Sequence, residues 1–522
     1  MGKAGKEGIG DRLLRNTFFN AAGRLWLIGT NLLLTPLYLS YLGQDRFAIW
    51  VLFWTLTQYF IFLDMGLGPS LVKHFAQFQS KEETQSINRA ITTVCCLYLL
   101  MGAMLLIGLW PALGWLAARL SLPPELLPEA VQTFRGGLVI LILLYFVNLF
   151  DALLKGYQRM ELTNLTLVLV SVPNVLGSYW VLRQGWGLSG LVMVAGGVYL
   201  LQLLVLVLFA KRIFPPLRLD WRHVQFSMVR GLFGYGARLQ MPRVAELVCF
   251  YADKILLGLL VPIRYVTFYD LGAKVAYFLH DLPYIFFNAV FPAASELAGR
   301  DDQQRLWLLY ERGTKYLLML SLPILFGTWL TAHLILQVWL NHVSADVHRA
   351  ILFLSTAYWT SISMGMVATV GAGIGWVSPQ MKAGLVQSLL NLGLSLSLIL
   401  AIGYTGALIG TLTALVCSNG YLLLQFCRDF DRPVAAHLKL ILRIALLNVP
   451  AALLSLAYLF WVAGWMQEGD RGAALLAFAG CVGLYVPAYL AAIRCSGVLD
   501  RRDWELLGGY LPFMRSLVKA PA

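Results

Sequence analysis

Charge is scarce in this sequence. Asp, Glu, Lys and Arg make up 13% of the 522 residues, against 59% apolar types, and mean hydropathy is +0.70. Ordinary soluble domains of this length cannot hide so much apolar surface, so a soluble protein is excluded. Cysteine is also sparse. The seven residues lie mainly in apolar runs such as "VCCLYLL" with no paired CxxC, which excludes a disulfide framework and a thiolate metal site. Also missing are the Walker-type GxxxxGK[ST], HExxH and GxSxG patterns. No enzyme constellation stands out, and any ATP would be hydrolysed by a separate subunit. The basic start "MGKAGKEGIGDRLLRN" leads into a span-length run without a small-residue cleavage site. Lys6 stands where the myristoylation pattern requires Ser or Thr.

Apolar runs long enough to cross a bilayer are abundant. Fourteen spans are expected: 16–41, 47–68, 91–116, 133–154, 162–182, 187–210, 231–260, 264–295, 314–340, 350–373, 380–402, 404–427, 438–463 and 472–493. The eighth is long enough to predict a kink near Pro283 or a continuation beyond the membrane. With the N-terminus inside, about 28 Lys and Arg fall in inside segments, about 7 outside and about 5 within spans. Both termini are therefore expected in the cytoplasm. The net charge of +13 follows from topology and from anionic lipid headgroups. The basic clusters are short and divided among loops, so no nucleic-acid partner is expected. The outside connections are all short, which argues against a membrane glycosyltransferase or polymerase with a large catalytic outer loop.

The basic connection 211–230 divides spans 1–6 from spans 7–12. "NAAGRL" (20–25) set against "GYGARL" (234–239) puts Arg24 opposite Arg238 in the first span of each set, the pattern of two related bundles. The expected organisation is an N-terminal bundle at 1–210, a C-terminal bundle at 211–430, and spans 13–14 with a cytoplasmic tail at 431–522. The tail reads as a short amphipathic surface helix.

Polar residues form stripes. Asn16, Asn20, Arg24, Asn31 and Thr35 fall within roughly a third of a turn around span 1. A guanidinium at bilayer depth costs at least about 2.5 kcal/mol, so Arg24 is read as facing a cavity. The asparagines alone could equally bond neighbouring helices. Span 7 places Arg238, Glu246 and Asp253 on a common side, with Arg243 three residues before Glu246. In span 8, Asp270, Lys274, Tyr277, Asp281, Tyr284 and Asn288 recur at helical spacing, the mark of a water-accessible pathway. Asp64, in "IFLDMGLGPS", is either a functional acid or the cap of the following turn. Asp151 and Lys155 are spaced for a structural i,i+4 pair. His280 and His333 are lone span histidines with no partner at ligand spacing, so no metal site is expected.

Cations in both bundles point to an anionic cargo, arginine being suited to bidentate phosphate contacts and Lys274 to a point charge. Arg24, Arg238, Arg243 and Lys274 are thus candidate pyrophosphate contacts, and Asn20, Asn31, Tyr277 and Asn288 candidate cavity polar groups. Asp64, Glu246, Asp253, Asp270 and Asp281 are candidate coupling or gating acids. They would exchange a proton or a sodium ion, or only neutralise the arginines. No cofactor is expected beyond such a coupling ion.

"FLDMGLGPSLVKHFAQ" (62–77) and "YADKILLGLLVPIRYVTFYDLGAKV" (251–275) resemble segments of bacterial polysaccharide (O-antigen type) flippases. These belong to the multidrug/oligosaccharidyl-lipid/polysaccharide exporter superfamily. The resemblance implies an all-α fold of about fourteen spans, two six-helix bundles around a V-shaped cavity with two further C-terminal helices, and alternating access. It also implies an undecaprenyl-pyrophosphate-linked oligosaccharide as cargo, turned from the cytoplasmic to the periplasmic leaflet of the bacterial inner membrane. The implied partners are membrane lipids and polysaccharide polymerase or chain-length machinery. Pro262 and Arg264 depart from the small acidic turn usual in the family. A lipid II flippase for peptidoglycan synthesis and a cation-coupled multidrug exporter share the implied fold. The intramembrane cations argue against the exporter, and a liposome transport assay separates all three from a binding-only protein.

Overall fold

The computed structural model describes residues 9–64, 66–281, 284–464, 470–500 and 503. Among these, the side chains of residues 9–22, 24, 25, 27, 28, 223, 226, 235, 237–246, 249, 281 and 284–289 lie outside the described set. Every regular element among the described residues is helical: α1 (Ile9–Ile61), α2 (Leu67–Ser80), α3 (Thr84–Arg119), α4 (Leu127–Gly156), α5 (Met160–Arg183), α6 (Gly187–Ile213), α7 (Phe226–Leu260) and α8 (Arg264–Asp281), then α9 (Tyr284–Gly299), α10 (Gln303–Leu340), α11 (Ala345–Ser363), α12 (Gly365–Gly373), α13 (Ser378–Ile402), α14 (Tyr404–Asp429), α15 (Val434–Ala463) and α16 (Arg471–Ser496).

Among the described residues, eleven helical stretches are long and apolar enough to cross a membrane, with α11 and α12 counted together. A helix satisfies its own backbone polar groups where no water is available, which is why apolar runs of this length take that form. α1 breaks at Gly43, whose backbone (φ 73°, ψ 178°) is open to glycine and strained for other residues. The kink expected near Pro283 in the long eighth run falls on Leu282 and Pro283, outside the described residues, with α8 and α9 the described parts on either side.

The chain forms two compact units. The first comprises Met1–Asp270 with Gly384–Ala414, the second Leu271–Ala383 with Leu415–Ala522. In the first, α1 packs on α5 through small and polar contacts. Trp26 Nε1 donates to Ser171 Oγ at 2.7 Å, and the Tyr38 and Ser178 hydroxyls pair at 3.0 Å. Tyr98 stacks on Tyr145 at 5.1 Å, and Tyr145 Oη donates to the Phe60 carbonyl at 2.7 Å, so the buried ring keeps its hydroxyl satisfied. Asp151 and Lys155 form their i,i+4 pair at 2.5 Å.

In the second unit, Trp307, Tyr310, Trp376 and Phe426 pack into an aromatic cluster, and the Arg432 guanidinium lies 4.2 Å from the Trp307 ring centroid. Past the left-handed Gly497 that ends α16, the chain turns back onto α10. There Asp503 is buried and bonded by Lys315 and Tyr316. Burial alone would raise its pKa. The hydrogen bonds from Lys315, Tyr316 and the Asp500 backbone outweigh burial and hold it below the usual aspartate value.

Candidate functional site

One buried polar cluster stands out among the described residues, and all of it lies in the first unit. It is built from α7, α8 and the paired segments of α13 and α14. "GALIG" (406–410) is a GxxxG run, the small-residue pattern that lets helices approach closely. A Cβ at Gly406 would lie 2.2 Å from the Leu398 carbonyl oxygen, and one at Gly410 would lie 2.7 Å from Ser395 Oγ. The two glycines therefore seat α14 directly on α13. Asn391 and Ser395 sit one turn apart on α13, and this approach brings Thr411 of α14 beside them.

At the centre of the cluster is Asp253 of α7, with no solvent exposure. Its Oδ2 accepts from Tyr269 Oη of α8 at 2.8 Å, from Asn391 Nδ2 at 3.4 Å and from Thr411 Oγ1. Tyr269 and Thr411 also lie 3.3 Å apart, which ties the ring of donors together. Ser395 interacts with the same carboxylate. Its Oγ makes no hydrogen bond of ordinary geometry, and neither do Asp253 Oδ1 and Asn391 Oδ1. Three buried oxygens with unused acceptor capacity, one of them the carboxylate's own, thus lie in this cluster.

The neighbouring positions on the same two helices hold a different arrangement. Lys254 Nζ contacts Asp270 Oδ1 at 2.7 Å, with the two side chains 7% and 8% exposed, and the ammonium lies 5.5 Å from the Tyr251 ring centroid. A buried ion pair of this kind balances its charge internally. Among the described residues, Asp253 has only hydroxyl and amide donors around it. A buried carboxylate without a counter-charge is costly, so the site favours uptake of a proton or a hard cation. Carboxylate, amide-carbonyl and hydroxyl oxygens suit hard cations rather than the softer transition metals. Among the described residues, no group of three His, Cys, Asp or Glu could hold a metal ion.

Of the acids expected from sequence, Asp253 and Asp270 come together here. Asp64 is buried at a turn, its Oδ1 accepting the Gly66 N–H at 2.8 Å. Lys274 and Tyr277, further along α8, belong to the second unit. There Tyr277 stacks on Tyr358 at 4.9 Å, while Lys274 is half-buried. Asn31 is exposed on α1. The side chains of Asn20, Arg24, Arg238, Arg243, Glu246, Asp281 and Asn288 lie outside the described residues. Lys254 and the α13–α14 trio of Asn391, Ser395 and Thr411 were not singled out from sequence. The usable signals were the i,i+4 spacing of Asn391 and Ser395 and the GxxxG run before Thr411.

A family model described as "Polysaccharide biosynthesis protein" matches residues 46–348. The chain is 21% identical over 310 residues to the "Putative O-antigen transporter" of Shigella flexneri, covering 57% of this chain and 69% of that protein. Its fold is similar to that of the lipid II flippase MurJ in an inward closed conformation (TM-score 0.70, 14% identity, 93% of this chain and 99% of that one). It is also similar to an inward-facing multidrug resistance MATE family transporter of the MOP superfamily (TM-score 0.65, 16% identity, 78% and 95%). The chain therefore belongs to the polysaccharide biosynthesis protein family, with a MATE/MurJ-like all-helical membrane fold.

Proposed function

We propose that this protein is a flippase that turns an undecaprenyl-pyrophosphate-linked oligosaccharide, a surface-polysaccharide repeat unit, from the cytoplasmic to the periplasmic leaflet by alternating access. Family membership and the Shigella flexneri relative support the cargo class. The observation that carries the transport mechanism is the buried Asp253 cluster, whose carboxylate has no cationic partner among the described residues and has oxygens left to bind one. In this reading Asp253 is the coupling acid. Taking up a proton or a sodium ion there neutralises the carboxylate, and releasing it restores the charge, so the gradient biases a conformational equilibrium through differential binding.

The full topology in this reading has fourteen spans, both termini in the cytoplasm and residence in the bacterial inner membrane. It follows from counting one span on each side of the Gly43 break, adding the runs at 231–260 and 264–295, and applying the distribution of Lys and Arg. Arg24, Arg238, Arg243 and Lys274 are the proposed contacts for the cargo pyrophosphate. The expected partners are the lipid-linked oligosaccharide, membrane lipids and polysaccharide polymerase or chain-length machinery. Arg24→Ala and Arg238→Ala are each expected to abolish glycan export while the protein still inserts. Full export by the double variant would remove the cargo assignment.

A second reading, lipid II transport for the cell wall, is favoured by the fold similarity to MurJ over 93% of this chain. Deleting the gene and identifying the lipid-linked glycan left in the cytoplasmic leaflet decides between them. Loss of a surface polymer with continued growth supports the polysaccharide cargo, and loss of viability with accumulated lipid II supports the other.

A further inference from the structure

A cavity of about 440 Å³ in the second unit is lined by Val290 and Leu297 of α9, Leu309 and Leu317 of α10, Met366 of α12, and two arginines of α10, Arg305 and Arg312. The volume is that of a site for one small ligand. α10 begins at Gln303, so Arg305 lies in its first turn. Arg312 is seven residues further on the same face, about 10 Å along the axis. The slot thus has guanidinium groups toward the N-terminal end of α10 and an apolar lining that continues toward Leu317. Its inner wall is held tight by Gly313, where a Cβ would lie 2.2 Å from Met366 Cε.

The acids that face the two arginines hold them loosely. Arg305 Nε lies 3.3 Å from Asp302, with its side chain 74% exposed, and an Arg312 guanidinium nitrogen lies 3.7 Å from Asp500. A phosphate accepts shorter, bidentate bonds from guanidinium groups, so it competes well with both carboxylates.

We propose that this slot binds an anionic glycerophospholipid, with its phosphate on Arg305 and Arg312 and one acyl chain in the apolar cavity. Asp500, in the segment that folds back from α16, competes with the phosphate for Arg312. The C-terminal segment and the lipid are therefore alternative occupants of one arginine. The lipid belongs to the cytoplasmic leaflet in the topology proposed above, and only that placement rests on the flippase reading.

The test is native mass spectrometry of the purified full-length protein in micelles doped with phosphatidylglycerol or phosphatidylcholine. Wild type is expected to retain phosphatidylglycerol preferentially. R305Q/R312Q is expected to lose that retention roughly tenfold, as removal of charge-assisted phosphate contacts predicts, with an unchanged melting transition. Asp500→Asn removes the competitor and is expected to raise retention roughly two- to fivefold, the scale of an exposed ion pair. Equal retention of the two lipids, or retention unaffected by R305Q/R312Q, would overturn the proposal. Displacement of phosphatidylglycerol from wild type by equimolar undecaprenyl pyrophosphate would also overturn it, reassigning the slot to cargo. Binding is read without transport, so either result leaves the flippase reading to its own experiments.

Discussion

Asp253 and Asp270 are buried on neighbouring helices of the same unit, and each is adjacent in sequence to a residue that contacts the other's environment. Asp270 meets Lys254 at 2.7 Å, whereas Asp253 meets Tyr269, Asn391 and Thr411. The difference is one of charge balance. The Asp270 pair is electrically complete, so it fixes the packing of α7 against α8. Asp253 has donors enough to hold its carboxylate in place but, among the described residues, no charge to neutralise it, which is why the proposed coupling role falls to it. In the proposed transport cycle the first site holds the helices in register and the second changes its charge state.

The sharpest way to break this comparison is to remove one partner of the complete pair. Lys254→Met leaves Asp270 buried and uncompensated, and is expected to cost about 3 to 5 kcal/mol of stability. The double variant Lys254→Met/Asp270→Asn should recover most of it, which thermal unfolding in detergent would detect. Asp253→Asn should behave in the opposite way. Gradient-driven transport in liposomes is expected to fall about a hundredfold, equivalent to about 2.7 kcal/mol of lost ion binding, while the melting temperature stays the same or rises because a buried charge has been removed. If Asp253→Asn melted early and still transported, the two sites would have to exchange roles.

Smaller changes sharpen the assignment. Asn391→Ala removes one donor and one free oxygen from the Asp253 site. It is expected to raise the ion concentration needed for half-maximal transport about tenfold, on the scale of one hydrogen bond to a charged group. Least of all, Asp503→Asn should loosen the C-terminal segment from α10 by about 1 kcal/mol, measured as faster proteolysis there. The same contact has a pH dependence. The Asp503 pKa is held below its unfolded value, so its contribution is complete above the ordinary aspartate range and is lost as pH falls through the depressed value. Protease sensitivity of this segment should rise only in strong acid, and Asp503→Asn should abolish that rise.

The membrane class was legible from composition, and the polysaccharide biosynthesis family from two motif segments, because both depend on residues read in order along the chain. Asp253 and Asp270 were legible for a related reason: a charge in an apolar run is conspicuous wherever it ends up pointing. Lys254 was visible only as a basic neighbour of Asp253 in "YADKILLG". Nothing in that string says that Lys254 meets Asp270 of α8 while Asp253 meets Tyr269 of α8 together with α13 and α14. Asn391, Ser395 and Thr411 were not legible as site residues, since uncharged polar side chains recur in many spans and usually bond within their own helix. Thr411 does so too, with the Ala407 carbonyl at 2.9 Å.

The sequence alone determined that this chain lives in a bilayer, that its helices are long and apolar, and that a few acids would have to be answered inside it. Hydrophobicity and helical periodicity are local properties, and each span carries them by itself. Only the tertiary structure decided which acid is neutralised and which is not. That outcome depends on α13 and α14 closing at Gly406 and Gly410, and on α7 presenting Asp253 to Tyr269, Asn391 and Thr411 but Lys254 to Asp270. The distances involved are a few ångströms between segments more than a hundred residues apart in the chain, where Coulomb energy and desolvation change steeply.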